Sequence, residues 1–411
     1  MWQGAKNHYH YFQGLAANIF YRFPSRGLTV IGVTGTEGKT TTANLIYHVL
    51  HEAGEKVSVI STTGAIVNGS TSDTGFHITT PGRFAIQAYL RKARKAGSKY
   101  VVLEVSSHGL DQYRALGIHF AVGVITNINR DHLDYHKTWE KYVHAKSRLV
   151  RVAKVAVLNK DDRSYQRIKK HEVHGKNNLV ITYGLKKDAD VNPHVFPFKT
   201  KLLGKFNQYN CLAAISALQA LRISDTKITK GLASFKAPVG RQEIVYDKDF
   251  TVMIDFATTG FSFTNMLTEA KKLAKKRIIH VFGAAGMRDI AKRAEIGKVA
   301  SEFDDVIIIT AEDPRNESVE EISNKIISGI TDRTFTVLDG AKKEDVQENK
   351  KYVIKIPNRK IAILFALAIA KKGDFVLITG KGHEQSMNYG KGEEPWSEHE
   401  AVTEGLRLRS V

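Results

Sequence analysis

Short apolar runs rich in β-branched residues alternate with helical stretches along most of the chain. Five runs in the first half have the length and composition of buried strands, at residues 28–33, 57–61, 100–104, 122–126 and 155–159. Helical periodicity falls between several of them, at residues 40–53, 84–96 and 140–149. Because neighbouring parallel strands need a crossover between them, this alternation predicts a parallel sheet covered by helices.

A second series of the same kind begins after the Pro238–Gly240 turn. Its candidate strands are residues 251–254, 277–282, 305–310, 334–338 and 374–379, and its candidate helices are residues 262–275, 290–302, 319–328 and 360–371. A chain of 411 residues is too long for one ordinary core. We therefore expect a domain boundary near Gly240.

Composition narrows the class of protein without fixing its function. Hydrophobic residues make up 42% of the chain, and no apolar run reaches the length of a membrane span. Residues 1–10 lack the basic stretch and apolar core of a signal peptide, so we expect a cytoplasmic protein. The single cysteine, Cys211, excludes an intrachain disulfide and a cysteine metal cluster.

The formal net charge is +19, from 61 basic and 42 acidic residues. Such a charge favours nucleic acid, anionic small molecules or simply a basic, solvated surface. The basic residues are scattered in short clusters on predicted helices, and no nucleic-acid-binding module is recognisable. We therefore interpret the charge as a basic, solvated surface and do not expect nucleic acid as a partner.

The segment 34–42 follows an apolar strand and opens a helix, which is the context of a phosphate-binding loop. Glycines Gly35 and Gly38 let backbone amides approach phosphate oxygens, and the helix N-terminus favours negative charge. Lys39 would reach the outer phosphates, and Thr40 would offer its hydroxyl to Mg²⁺. The strict motif fails at Val33, where its first glycine belongs, but the strand and helix on either side favour nucleotide binding.

Titratable residues follow two later strands at their carboxyl ends, where catalytic groups of open α/β sheets gather. Glu104 ends one strand and would bind Mg²⁺ through oxygen, although a solvated strand end explains it equally well. Residues 126–134 place two acids, an arginine and His132 after another strand. A polar loop would also use such residues, but their density beside a phosphate loop favours a functional site.

Six segments together resemble the Mur ligase family, and they occur in that family's order. They are residues 34–42, 104–111, 127–136, 203–210, 240–241 and 380–384. The resemblance runs from about residue 28 to the C-terminus and is strongest to members that add a diamino acid to the peptidoglycan precursor. It implies an α/β fold with a short leader (1–27), a central P-loop ATPase domain with a parallel-rich sheet (28–239) and a Rossmann-like C-terminal domain (240–411).

The resemblance also implies a reaction. ATP would phosphorylate the terminal carboxylate of a UDP-N-acetylmuramoyl-dipeptide-like acceptor, and an amine would attack the acyl phosphate. The implied cofactors are ATP and Mg²⁺, the implied partners are small molecules only, and the implied state is a monomer. Cations must cluster around the transferred phosphoryl group, because negative charge accumulates there.

Residue roles carry over position by position. The implied catalytic residues are Lys39, Glu104, His132 and Lys146, and the implied metal-holding residues are Thr40, Glu104, His132 and Lys146. Lys146 matches a lysine that the family carbamylates, although helical periodicity alone favours an ordinary surface lysine. The implied nucleotide contacts are Gly35, Thr36, Gly38, Lys39, Thr40, Thr41, Asn127, Asn207, Asn210, Arg241 and Asp255. The implied substrate contacts are Thr79, Thr80, Ser106, Arg114, Asp313, Arg315, Gly380 and Glu384.

Residues 312–315 bear on the amino acid that is added, since they are similar to a signature of enzymes that add meso-diaminopimelate. Arg315 would grip a carboxylate with two parallel hydrogen bonds, although a polar turn accounts for the same residues. This favours diaminopimelate over lysine. Three departures from the family accompany it: only 27 residues precede the first strand, too few for a uridine-binding domain; Glu37 replaces an asparagine; and Thr258 replaces a histidine.

Other functions stay open at this point. A related ligase with a different acceptor, of the amidating or folylpolyglutamate type, would share the loop; the amidating type typically needs cysteines that are absent here. A nucleic-acid-stimulated P-loop ATPase is prompted by the +19 charge. A catalytically dead binding protein is disfavoured by the intact set of Lys39, Glu104, His132 and Lys146.

Overall fold

The computed structural model describes residues 2–72, 79–173 and 179–409, with side chains described from residue 7 onward. The chain divides into two compact units, one ending at Pro238 and the other beginning at Val239. Within the described residues, no helix combines the length and the apolar character that crossing a bilayer requires.

The first unit alternates strands and helices as the apolar pattern predicts. Its helices are α1 (Trp2–Phe20), α2 (Lys39–Glu52), α3 (Arg83–Lys95), α4 (Ser107–Asp111), α5 (Leu133–His136), α6 (Trp139–Val152), α7 (Tyr165–His171), α8 (Lys205–Ala220) and α9 (Asp225–Ser234). Its strands are β1 (Thr29–Thr34), β2 (Val57–Ser61), β3 (Gly64–Val67), β4 (Ser70–Ser72), β5 (Tyr100–Glu104), β6 (Phe120–Ile125), β7 (Val155–Asn159) and β8 (Leu179–Tyr183).

In the described part of this unit the strands form one sheet in the order β4-β3-β2-β5-β1-β6-β7-β8. Pairing is parallel from β2 to β8, and β3 and β4 add an antiparallel edge. Helices α2, α8 and α9 pack on one face and α3, α4 and α6 contribute to the core of the other. Register aligns Val33 with Glu104 and Thr34 with Ile125, so the strand ends that carry the candidate residues share one edge.

Residues 2–27, which the sequence analysis described as a short leader, pack on this unit. They form α1 and a 3-10 turn at Pro24–Gly27. The Asn18 amide nitrogen donates to the carbonyl oxygen of Leu116 at 2.7 Å, and Ala17 is fully buried. The helix went unrecognised because its inward side is made of small residues, whereas its large apolar residues are exposed.

The second unit is the other half of the predicted architecture. Its helices are α10 (Gly260–Leu273), α11 (Ala291–Phe303), α12 (Val319–Ile327), α13 (Arg359–Ile369) and α14 (Glu398–Arg409), with a 3-10 turn at Lys343–Asp345. Its strands are β9 (Glu243–Asp247), β10 (Thr251–Asp255), β11 (Ile278–Phe282), β12 (Val306–Ile309), β13 (Phe335–Asp339), β14 (Lys351–Lys355), β15 (Phe375–Thr379), β16 (Ser386–Asn388) and β17 (Glu393–Pro395).

Its main sheet has the order β13-β14-β12-β11-β15-β10-β9, with β16 and β17 paired separately. All pairs of the main sheet are parallel except β9 with β10. Strands β10, β12 and β15 bury continuous apolar runs on both faces, as covered parallel strands do, and β11 does so except at His280. The predicted α/β class with parallel-rich sheets is confirmed for both units.

Candidate active site

The phosphate loop connects β1 to α2 and its shape depends on Gly38. Gly38 has φ of 76°, a left-handed conformation that favours glycine. A Cβ at this position would lie 2.1 Å from the Asn210 amide oxygen, so only glycine fits. The amides that follow open α2, and the Lys39 ammonium donates to the Thr36 carbonyl at 2.9 Å. A helix N-terminus and a lysine therefore converge on one loop.

Glu104 lies at the end of β5 and is completely buried beside the first turn of α2. One carboxylate oxygen accepts the Thr40 hydroxyl at 3.1 Å, and the other accepts the Thr62 amide at 2.9 Å. Neighbouring oxygens of octahedral Mg²⁺ lie about 3 Å apart when metal–oxygen bonds are near 2.1 Å. The oxygens of Thr40 and Glu104 thus fit two adjacent positions around such an ion.

Lys146 lies on α6 and is buried, with 1% of its surface exposed. Its ammonium donates to the Gly35 carbonyl at 2.6 Å and sits 4.6 Å from the centre of the Tyr142 ring. Burial lowers the pKa of Lys146 well below its usual range, and the Lys39 charge lowers it further. The structure therefore contradicts the surface lysine that periodicity favoured and presents an amine biased toward its neutral form.

Asn127 follows β6 and fixes the tip of the loop through the backbone of Glu37. The Glu37 amide donates to the Asn127 side-chain oxygen and the Glu37 carbonyl accepts from its nitrogen, both at 3.1 Å. Thr126 adds a 2.6 Å hydrogen bond to the same carbonyl. Because these contacts use the backbone, the loop keeps its shape although the residue at this position departs from the family.

His132 belongs to a cluster of rings beside the loop. Its ring centre lies 4.9 Å from that of His108, and its Nε2 lies 3.4 Å from Asp131. Partial burial lowers the pKa of His132, and the charges of Lys146 and Lys39 act in the same direction. A neutral imidazole at this position keeps a lone pair for a metal ion or proton.

The same cluster contains residues that the sequence analysis did not assign. His136 is buried, its Nε2 lies 3.0 Å from the Ser107 hydroxyl, and burial lowers its pKa to about 4. Tyr142 lies one helical turn before Lys146, and its hydroxyl bonds to that of Thr36 at 3.1 Å. The four-residue spacing between Tyr142 and Lys146 was the available signal, since it places both side chains on one helix face.

Two asparagines of α8 reach the other side of the loop. The Asn210 amide nitrogen donates to the Asn207 side-chain oxygen at 2.9 Å, and Asn210 accepts the Thr42 hydroxyl at 3.4 Å. Both asparagines are buried. Thr41, which is half-buried, lies between these contacts in the first turn of α2.

The predicted substrate residues of the first unit form one hydrogen-bonded group. The Thr80 hydroxyl donates to the Ser106 hydroxyl at 3.1 Å and accepts the Ser106 amide at 2.8 Å. Arg114 donates to the Thr80 carbonyl at 2.6 Å, and Thr79 is the residue before Thr80. Ser106, two residues after Glu104, also caps α4. The group therefore lies at the same sheet edge as the loop.

In the second unit, Arg241 and Asp255 lie near the ends of β9 and β10. The guanidinium of Arg241 stacks on the Phe256 ring at 4.3 Å. The buried Asp255 carboxylate accepts the Gln242 amide at 2.8 Å and the Ala257 amide at 2.7 Å. Burial raises the pKa of Asp255. The Asp255 carboxylate therefore stabilises the turn that follows it in the chain.

A second polar group surrounds Lys381, which is fully buried. Its ammonium binds both oxygens of Asp313 at 2.9 Å and one oxygen of Glu384 at 2.6 Å. Arg315 donates to the Gly286 carbonyl at 3.2 Å. Gly380, with φ of 112°, packs on the buried Glu312, and a Cβ there would lie 2.9 Å from its carboxylate.

The structure thus gathers the predicted residues into two sets, one in each unit. Within the described residues, no three histidine, cysteine or acidic side chains surround a common point as metal ligands do. Any divalent ion at Thr40 and Glu104 would therefore take most of its remaining ligands from the nucleotide, from water or from a modified side chain. This is the usual arrangement of a magnesium nucleotide site.

A phosphate loop on a parallel-rich sheet, followed by a second α/β unit with a parallel-rich sheet, defines a nucleotide-binding protein. A family model described as the Mur ligase middle domain matches residues 33–218. A second model, described as Mur ligase, glutamate ligase domain, matches residues 240–382. The chain belongs to the Mur ligase family, whose members are ATP-dependent ligases that form peptide bonds.

Curated relatives agree on the kind of ligase. The UDP-N-acetylmuramoyl-L-alanyl-D-glutamate–2,6-diaminopimelate ligase of Aquifex aeolicus is 38% identical, and the match covers 96% of this chain and 80% of the relative. The enzyme of that name from Geobacillus thermodenitrificans is 36% identical, with 90% and 77% covered.

Solved structures extend the likeness to three dimensions. A UDP-N-acetylmuramoyl-L-alanyl-D-glutamate–2,6-diaminopimelate ligase is 28% identical with a TM-score of 0.61, covering 93% of this chain and 79% of the other. A folylpolyglutamate synthase of Mycobacterium tuberculosis, complexed with ADP and AMPPCP, has a TM-score of 0.68 at 17% identity, covering 90% and 92%. The second likeness concerns the fold alone.

Proposed function

We propose that this ligase joins a diamino acid, diaminopimelate rather than lysine, to the terminal carboxylate of a UDP-N-acetylmuramoyl-dipeptide-like acceptor. The observation that carries the proposal is the convergence of Lys39, Thr40, Glu104 and Lys146 on one phosphate loop. The named activity of relatives that are 34–38% identical across at least 90% of this chain supports the substrates.

The first step is transfer of the γ-phosphoryl group of ATP to the acceptor carboxylate. Backbone amides at the start of α2 and the Lys39 ammonium hold the outer phosphates, where negative charge accumulates. An acceptor carboxylate oxygen attacks phosphorus, ADP leaves, and an acyl phosphate forms. The amine then attacks the carbonyl carbon, and phosphate departs with the former carboxylate oxygen.

Magnesium fits this site through the adjacent oxygens of Thr40 and Glu104, which lie 3.1 Å apart. When bound, the ion neutralises charge on the phosphates during transfer. Glu104 is kept in place by the Thr62 amide, so its oxygen toward Thr40 does not need to reorient. His132, close enough to Lys146 and Lys39 for their charges to lower its pKa, offers a further nitrogen ligand.

Lys146 is proposed to carry a carbamate. The neutral amine is the form that adds CO₂, and burial of Lys146 favours that form. The product would replace a hydrogen-bond donor by a pair of oxygens within reach of the loop. The carbamate carbon of protein equilibrated with ¹³C-bicarbonate should give an NMR signal that the Lys146→Arg variant lacks, and an identical spectrum of the variant would refute this part.

The amino-acid side of the reaction is assigned to the second unit. Arg315 presents a guanidinium suited to a carboxylate, and Asp313 and Glu384 flank the buried Lys381. A substrate with a second carboxylate at the end of its side chain would use Arg315, whereas the side chain of lysine ends in an amine alone. This difference supports diaminopimelate as the added amino acid.

The test is phosphate release with Mg²⁺-ATP across a panel of muramyl-peptide acceptors and amines. Release should require both an acceptor and an amine, with diaminopimelate the preferred amine. Lys39→Ala should abolish turnover, whereas Lys230→Ala, an exposed lysine on α9, should leave it unchanged. Release that ignores every acceptor and amine yet rises with DNA or RNA would instead favour a nucleic-acid-stimulated ATPase.

A further inference from the structure

Helix α1 packs on the first unit with its small side inward. The amide nitrogen of Asn18 bridges the carbonyls of Gly14 and Leu116 at 2.8 and 2.7 Å. A Cβ at Gly14 would lie 3.0 Å from the Tyr113 carbonyl, so the helix approaches the body as closely as glycine allows. The contacts that hold α1 in place therefore leave its large apolar side chains on the other side.

Those large side chains point away from the unit and are well exposed. Phe12, Ile19 and Phe20 have 65%, 59% and 66% of their surface exposed, and Tyr9 and Leu15 have 63% and 39%. Phe84 of α3 is 45% exposed and its ring centre lies 6.3 Å from that of Phe20. We call these six residues the α1 apolar face; a contiguous exposed patch of this kind marks a docking surface.

The two helices that carry the α1 apolar face contain basic residues and no acidic ones. The first 36 residues contain no aspartate or glutamate, and α3 contains none among its 13 residues. Helix α3 carries five basic residues instead, Arg83, Arg91, Lys92, Arg94 and Lys95. The acid that contacts α1, Asp111, is already paired with Arg148 at 3.4 Å and Tyr135 at 2.9 Å.

We propose that the α1 apolar face and the basic residues of α3 bind the surface of an anionic membrane. Aromatic and aliphatic side chains on one helix side, flanked by basic residues, suit the boundary between headgroups and acyl chains. A second copy of the chain fits less well, because face-to-face packing would oppose one basic α3 to another. Single-stranded nucleic acid would stack on the aromatic rings but gains nothing from Leu15 and Ile19.

The binding would be peripheral, since no described helix qualifies as a span. Flotation of the full chain with phosphatidylcholine vesicles containing about one third phosphatidylglycerol tests it. We expect the protein to float with these vesicles, to stay behind with pure phosphatidylcholine, and to dissociate as salt is raised. Phe12→Ser/Ile19→Ser and Arg91→Gln/Lys95→Gln should each lower the partition coefficient roughly tenfold or more.

Matched variants separate this surface from general stickiness. Leu179→Ser/Val195→Ser removes two apolar side chains that are 63% and 66% exposed on the same unit, and it should bind like the parent protein. Phosphate release on soluble substrates should be unchanged in all of these variants.

Three results would overturn the proposal. They are equal flotation of the parent and the Phe12→Ser/Ile19→Ser variant, binding of single-stranded oligonucleotides but not of vesicles, and a parent dimer that the same variant converts to monomer in light scattering.

Discussion

Glu104 offers the most informative perturbation, because its charge and its shape can be removed separately. Its carboxylate is completely buried and accepts two hydrogen bonds, from Thr40 at 3.1 Å and from the Thr62 amide at 2.9 Å. Glutamine at this position has nearly the same volume. Its oxygen would still accept the Thr62 amide, and its nitrogen would donate to the Thr40 hydroxyl.

The expected stabilities follow from that geometry. Glu104→Gln keeps both hydrogen bonds and removes a buried charge, so the free energy of unfolding without ligand should change by less than about 1 kcal/mol or rise. Glu104→Ala leaves a cavity and an unsatisfied Thr62 amide, and should cost roughly 2–4 kcal/mol. The two variants should nevertheless share the same catalytic defect.

The catalytic defect concerns the oxygen that magnesium needs. Without a carboxylate beside Thr40, turnover in phosphate release should fall by about 10²-fold or more for both variants. The parent protein should gain roughly 2.7 kcal/mol of stability from Mg²⁺-ATP at a hundred times its Kd, and Glu104→Gln should lose most of that gain. Thermal unfolding with and without Mg²⁺-ATP measures it.

A matched control is Glu55→Gln, which removes an acid that pairs with Lys99 at 3.1 Å on the surface. This change should leave turnover and the ligand-induced stabilisation intact. If Glu104→Gln retained turnover within threefold of the parent, or kept its full response to Mg²⁺-ATP, the assignment of Glu104 to the metal would be refuted.

Three further outcomes follow from individual residues. Gly38→Ala should abolish ATP binding, because its Cβ would lie 2.1 Å from Asn210. Gly54→Ala, at φ of 80° with nothing within 4 Å of its Cβ, should cost about 1 kcal/mol of stability and leave activity unchanged. Isothermal titration with ATP distinguishes the two variants, and retained ATP affinity in Gly38→Ala would contradict the loop geometry. Burial raises the pKa of Glu312 to about 7 from 4.5, so the native state binds the extra proton and loses stability as the pH rises between these two values. Glu312→Gln should therefore be more stable than the parent at pH 8, by up to about 3 kcal/mol, and the difference should vanish near pH 4.5. A stability difference that is independent of pH in urea unfolding would refute this prediction. Arg315→Lys should raise KM for diaminopimelate about 10–100-fold with KM for ATP unchanged, since a lysine cannot make two parallel hydrogen bonds to a carboxylate, and an unchanged KM for diaminopimelate would remove Arg315 from the pocket.

Most of the fold could be predicted because parallel strands that helices cover on both faces consist of short apolar runs. The runs at 57–61, 100–104 and 155–159 coincide with β2, β5 and β7. Strand β14 was missed, because its three central apolar residues are flanked by lysines and resemble an exposed turn. Helix α1 was missed because its large apolar residues face outward and only small residues face the core.

The sequence predicted the site residues that lie at strand ends, but not those whose position depends on contacts between distant parts of the chain. The phosphate loop and Glu104 stand at strand ends, and the register of β1 with β5 brings them together. The burial of Lys146 could not be predicted from its helix, because the Gly35 carbonyl that accepts its hydrogen bond lies 111 residues away in sequence. Likewise the link from Tyr142 to Thr36 spans 106 residues and has no local signal.

The proposed reaction depends on conversion of the acceptor carboxylate to an acyl phosphate at the loop that holds Lys39 and Glu104. An acceptor labelled with ¹⁸O in its terminal carboxylate tests it directly, with mass spectrometry of the phosphate released during turnover with Mg²⁺-ATP and diaminopimelate. We expect one ¹⁸O atom to be transferred to inorganic phosphate for every amide bond formed. Amide formation with unlabelled phosphate would contradict it.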